Sequence, residues 1–233
     1  MNKEKLSKVL FIVTKVVAGL IMVLSTVFIF VTKDDESRSR LIFNALMALV
    51  LLILTFIPLV VEKAFKVDIP SIMEIIFLVF SVLSFLLGEI GDFYIKYRWW
   101  DSMLHAMSGI LLGCLGFVLL NYFNKNDNFK SFHLGPAFAA LFVLCFTITC
   151  GTLWEIIEWF ADTLNGTNMQ RFEDNITGEG FIGRDALYDT MKDLILDSIG
   201  GVIIAIVGYL DIKFNKGLVD KLKVEIVNEN GDV

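Results

Sequence analysis

The sequence predicts an all-α fold, a polytopic transmembrane helical bundle of six spans with both termini cytoplasmic. Three observations lead there. Hydrophobic residues make up 56% of the 233-residue chain and mean hydropathy is +0.69, more apolar surface than a water-soluble core of this size conceals. That surface is gathered into six runs, each near the ~20 residues that cross a bilayer core as a helix. The aromatic set, 21 Phe against 5 Tyr, is that of side chains meeting lipid rather than a polar interface.

Charge and cysteine content narrow the class further. The net charge is −6 and the 20 Lys and Arg are scattered, so there is no basic stripe and nucleic acid is not an expected partner. Cys114, Cys145 and Cys150 lie inside apolar runs without CxxC spacing. They read as small core residues, not as a disulfide framework or a thiolate metal site.

The first run, about 9–32, follows Lys3, Lys5 and Lys8. It is too long for a signal peptide and lacks an A-x-A site, so an uncleaved span is expected. Further runs cover about 41–61, 71–90, 102–122, 136–162 and 188–210, with Pro58, Pro70 and Pro136 near segment ends, where a missing amide donor is least costly. The whole chain, 1–233, reads as a single membrane domain with a 211–233 cytoplasmic tail. The 163–187 segment reads as an extracytoplasmic loop and candidate lid, with Gly166, Gly178, Gly180 and Gly183 in it. The sides follow from basic residues: 11 in the termini and even-numbered loops against 7 in the odd-numbered loops.

Polar residues inside the spans carry the chemistry, because an ionisable group in a membrane is costly unless paired, protonated, bound to a cation or facing a wet cavity. The fourth span opens with Asp101 and His105, one turn apart and about 40° apart around the helix. Gly109 and Gly113 continue that row, leaving room for a close helix neighbour. The fifth ends with Glu155, Glu158 and Asp162 on one face, extended inward by Gly151 and Thr147. The sixth begins with Asp185, Asp189, Asp193 and Asp197 at steps of four. A six-span topology brings these three helix ends to one leaflet. Counting turns inward layers Asp162 with Asp189 and Asp101, Glu158 with Asp193 and His105, and Glu155 with Asp197 and Gly109.

Crowded carboxylates hold protons or share cations. With one imidazole present, a divalent metal, Mg, Mn or Zn, is the expected cofactor. Its expected ligands are Asp101, His105, Glu158, Asp193 and Asp197, with Glu155 and Asp189 as catalytic carboxylates and Arg184 and Arg98 as a substrate clamp. There is no H-E-x-x-H and no E-x-x-H, so neither a zincin nor a ferritin-like site is indicated. The plainer alternative makes Asp101 a helix N-cap and His105 an interhelical hydrogen-bond partner. Asp162 and Asp185 read as solvated interfacial residues, Glu74 as a packing or snorkelling group, and His133, in the fourth loop, as a surface residue.

Four ordered motifs carry a resemblance: W-W-D-S-M-L-H-A-M-S-G at 99–109, W-E-I-I-E-W-F-A-D at 154–162, G-T-N-M-Q at 166–170 and D-T-M-K-D-L-I-L-D-S-I-G-G at 189–201. Together they resemble the YjdF-type family of bacterial inner-membrane proteins, of unknown function, over roughly residues 85–205. A fainter similarity is to VanZ-like membrane proteins, with Asp101, His105, Glu155, Glu158, Arg184 and Asp193 in the matching roles. Asp197 departs from that second pattern, which has asparagine there. The first resemblance implies a bacterial inner-membrane location and both imply an intramembrane site; neither supplies a reaction.

Three functions fit these residues. The first is a metal-dependent enzyme acting on a lipid or lipid-linked headgroup at the outer leaflet. The second is a cation or proton transporter or channel, for which the nearly apolar inner halves of the last three spans are a weakness. The third is a non-catalytic assembly partner whose acids serve packing.

Overall fold

The computed structural model describes residues 3–125, 135–174, 177–222 and 225–226. His133 lies outside the described residues. Among the described residues six helices are long and apolar enough to cross a membrane: Lys3–Ile29, Asp35–Phe65, Ser71–Ile90, Trp100–Phe123, Pro136–Leu164 and Asp185–Phe214. The six-span all-α expectation therefore stands. The one sheet among the described residues is a two-residue antiparallel pair, β1 (Val67–Asp68) with β2 (Glu225–Ile226). The chain divides into two compact units, one running to Leu104 and joined by the tail from Lys223, the other from His105 to Leu222.

In the first unit, α1 (Lys3–Ile29) buries Ser7, Thr14, Ala18 and Ser25, small residues that let helix backbones approach. Ser7 donates to the Glu74 carboxylate at 2.7 Å, so Glu74 is a packing partner of the first span. Asp34 caps α2 (Asp35–Leu54) by accepting the Ser37 amide. The expected continuous helix over 41–61 is interrupted at Thr55 and Phe56, and α3 (Ile57–Phe65) resumes it. Pro58 is the cause: it has no amide hydrogen, and its ring crowds the carbonyl four residues back. Lys66, in the left-handed region at φ 52°, ends α3.

The third span departs from regular α-helix as well. After α4 (Ser71–Ser81) the chain widens into a π-helix from Val82 to Ile90. Its last carbonyls are met by Arg40, which donates to Glu89 O at 3.2 Å and also pairs with Asp92. This is the capping of orphan carbonyls that a helix end requires. Asp92 belongs to that cap, just before the short α5 (Phe93–Lys96).

The second unit takes in α6 (Trp100–Lys125) from His105 onward, α7 (Pro136–Asn165) and α8 (Tyr188–Phe214). Phe117, Leu120, Ala139, Val143, Ala205 and Val219 form its apolar core. Near the acidic end the helices meet through glycine. A Cβ on Gly109 would lie 2.9 Å from Asp197 Cα, and one on Gly200 would lie 2.8 Å from Gly109 C. α6 and α8 thus touch backbone to backbone, as small residues allow in membrane bundles. The opposite faces present Leu153, Ile156, Ile157, Phe160, Ile195, Ile199 and Ile203, all exposed, the surface that lipid covers.

Candidate metal centre

The seven side chains expected as ligands or catalytic carboxylates, Asp101, His105, Glu155, Glu158, Asp189, Asp193 and Asp197, are buried, and so is Asp162, none more than 9% exposed. The i+4 series puts Asp189, Asp193 and Asp197 on one face of α8, since four-residue steps drift by only about 40° each, and at Asp197 that face meets Gly109 of α6 and Gly151 of α7. Asp185 falls in a 3-10 turn before α8 and is exposed, as expected of an interfacial residue.

His105 is the hinge of the geometry. Its Nδ1 lies 3.2 Å from Asp197 Oδ2, and its Nε2 lies 4.0 Å from Asp193 Oδ2. Ser108, one turn further on, donates its hydroxyl to the other Asp197 oxygen. Gly151 admits the same carboxylate from the α7 side; a Cβ there would lie 2.7 Å from Asp197 Oδ2. Asp197 is thereby gripped by α6 and shielded by α7. In the tautomer that carries its proton on Nδ1, the ring donates to Asp197 and the lone pair of Nε2 faces Asp193. A second carboxylate behind an imidazole is how proteins fix the tautomer of a metal-binding histidine.

α6 is continuous through the boundary between the units, so Asp101 stands one turn before His105 by helix geometry alone. It lies inside the first turn, not at the N-cap position. One ligand atom each from Asp101, His105 and Asp193 lie within 4.8 Å of one another, close enough to hold a metal ion. Asp197 and Glu158 are outside that group. Glu158 accepts the Trp154 indole N–H at 2.8 Å.

Asp162 is not the solvated residue its position suggested. Its carboxylate is buried and accepts from Thr167 Oγ1 at 2.6 Å, Met169 N at 2.7 Å and Gln170 N at 2.9 Å. Three donors folded onto one carboxylate draw the G-T-N-M-Q loop back over the helix ends. Gln170 then reaches inward, donating to Thr190 Oγ1 at 3.0 Å and lying 3.5 Å from Glu155 Oε2. Arg171 follows at φ 47°, with Nε 3.8 Å from Asp189 Oδ2. Lys192 lies 2.6 Å from Asp189 Oδ1 and 3.6 Å from Asp193 Oδ1.

Ser108, Gln170 and Arg171 were not singled out by residue type. Ser108 and Gln170 fall within the quoted motifs, the one signal that marked them. Arg184 and Arg98 are exposed, whereas Arg171 and Lys192 are the cations that stand beside the acids of α8.

The matching family's description agrees with helices that cross a membrane. The family model described as predicted membrane protein (DUF2238) matches residues 14–213. An uncharacterized protein of Thermotoga maritima is 28% identical over 154 residues, covering 66% of this chain and 70% of its own. No solved structure matches the chain.

Proposed function

The chain belongs to the DUF2238 family of predicted membrane proteins, and we propose that this member is a metal-dependent enzyme of the bacterial plasma membrane. It acts on a lipid or lipid-linked headgroup, with both termini cytoplasmic and the acidic end of α6–α8 toward the outer leaflet. The observation that carries the reading is the His105 imidazole, held at Nδ1 by Asp197 and offering Nε2 toward Asp193. Packing alone does not require a histidine oriented from behind by a carboxylate that is itself held by a serine.

Asp101, His105 and Asp193 would hold the cation, leaving positions open for water and substrate. Two carboxylates and an imidazole suit Mn or Zn, with Mg the weaker fit. Such an ion supplies Lewis-acid activation of a phosphoryl or carbonyl oxygen. Glu155, beside Gln170, is the carboxylate proposed to accept a proton. Asp189, paired with Lys192, acts as a counter-ion. Glu158 is the further ligand if the centre holds a second ion.

The apolar core at the far end of the same three helices supports a blind site over a cation path, since a conduit needs polar positions along its whole length. The test is elemental analysis of the detergent-purified chain. About one equivalent of divalent metal per chain is expected, lost in Asp193→Asn. Wild-type protein stripped of no metal and containing none would end the reading. Retention of that ion in Glu158→Gln supports a single-ion centre.

A further inference from the structure

We propose that Arg171 and Lys192 form the recognition pair for a phosphate-type anion at the mouth of the candidate metal centre. Asp189 is the internal counter-ion that holds the two cations in place until the anion arrives. The inference rests on the enzyme reading for what becomes of the anion, but not for its binding.

The two cations come from different elements and converge on one carboxylate. Lys192, on α8, is within hydrogen-bond distance of Asp189. The Arg171 guanidinium arrives from the loop, its Nε 3.8 Å from the other Asp189 oxygen. Asp189 is 9% exposed at its side chain, but Arg171 and Lys192 are 22% and 24% exposed. The cations are therefore the more solvent-accessible members of the trio.

The chain constrains Arg171 to be there. A positive φ is unfavourable for a residue with a Cβ, and Arg171 adopts φ 47° immediately after two backbone amides tied to Asp162. Gln170 is tied in turn to Thr190 on α8. Over-determined backbone of this kind persists where the neighbouring structure enforces it, commonly beside a functional site.

Position supplies the chemistry. Lys192 Nζ is 3.6 Å from Asp193, which is 4.0 Å from His105 Nε2. An anion seated between guanidinium and ammonium thus lies next to the proposed cation. A planar fork and a point charge together suit a tetrahedral oxyanion, through charge-assisted hydrogen bonds. A phosphate monoester fits, whether presented by a lipid headgroup or free in solution.

The full chain, purified in an uncharged detergent, is titrated with inorganic phosphate and followed by melting temperature and calorimetry. In parallel, phosphatidylcholine nanodiscs with and without phosphatidic acid separate a lipid headgroup from the free anion. A saturable response to either probe is expected, weakened about ten- to a hundredfold in Arg171→Gln and Lys192→Gln. Lys216→Gln, which removes a charge beyond the far end of α8, should match wild type. If Arg171→Gln fails to fold, Arg171→Lys keeps the charge facing Asp189 and loses the fork, and it too should bind more weakly. Wild-type affinity in the folded variants, or no response of wild-type protein to both probes, overturns the proposal. Metal content measured in the same samples keeps the two readings apart: metal without anion binding sinks this inference alone, and Arg171-dependent anion binding without metal sinks the enzyme reading alone.

Discussion

Asp197 and His105 face each other 3.2 Å apart across the contact between α8 and α6, and the Ser108 hydroxyl holds the other Asp197 oxygen. The arrangement makes Asp197 a positioning residue. Replacing it with asparagine keeps the volume but removes the charge that accepts the imidazole N–H. Metal affinity should fall about ten- to a hundredfold while the helical fold is retained. Metal titration read beside far-ultraviolet circular dichroism checks this. Unchanged affinity would mean that Asp197 serves packing alone.

Asp162 gathers three donors from the loop that follows it. Asp162→Ala should release the Met169 and Gln170 amides to hydrogen exchange and expose the 166–171 loop to protease, with α7 itself intact. A buried carboxylate with three partners lost makes a local cost of about 1–3 kcal/mol reasonable. Exchange at both amides equal to wild type would contradict the anchoring role.

What could be read from the sequence was whatever depends on local periodicity. Twenty-residue apolar windows located all six spans, and four-residue steps put Asp189, Asp193 and Asp197 on one face. The layer count that set Asp197 beside Gly109 reflects the same regularity, and the two residues do meet. Interruptions were less legible. Pro58 breaks its helix a turn earlier than a segment-end proline would, and the π-helix from Val82 to Ile90 follows a hydrophobic pattern that looks like ordinary helix. Least legible were contacts closed by a loop. Arg171 stands beside Asp189 only because Asp162 folds 167–170 back, and neither spacing nor composition encodes that return. Arg184, nearer to Asp189 in sequence, was the natural choice for a clamp and is exposed.

The Asp34 cap gives a pH-dependent signal outside the spans. The Ser37 side chain and amide stabilise its charged form and hold the carboxyl below its ordinary value of 3.8. A depressed value means that the folded state binds the proton less well, so the cap contributes fully above the ordinary value and is lost as pH falls through the folded one. The Ser37 protection factor should therefore drop only in strongly acidic solution. In Asp34→Asn, where the cap carries no charge, protection should be flat across that range. An equal drop in both proteins would assign the effect elsewhere.

The glycines of the second unit supply a sharper test, because they differ in what a single methyl group would strike. At Gly109 the added carbon meets the backbone of Asp197, and at Gly200 it meets the backbone of Gly109 and Ile110. Backbone cannot swing aside as a side chain can, so α6 and α8 must separate. Gly109→Ala and Gly200→Ala should each destabilise by about 1–3 kcal/mol and loosen the distance between His105 and Asp197. Gly19, in α1, has nothing within 4 Å of the same position. Gly19→Ala removes a flexible residue from a helix interior and should be neutral or stabilising by up to ~1 kcal/mol. Unfolding in mixed detergent separates these outcomes. Equal effects at all three positions would show that helix propensity, and not the α6–α8 contact, governs them; a loss confined to Gly109 and Gly200, accompanied by lost metal, would tie the close approach of the two helices directly to the His105 and Asp197 geometry.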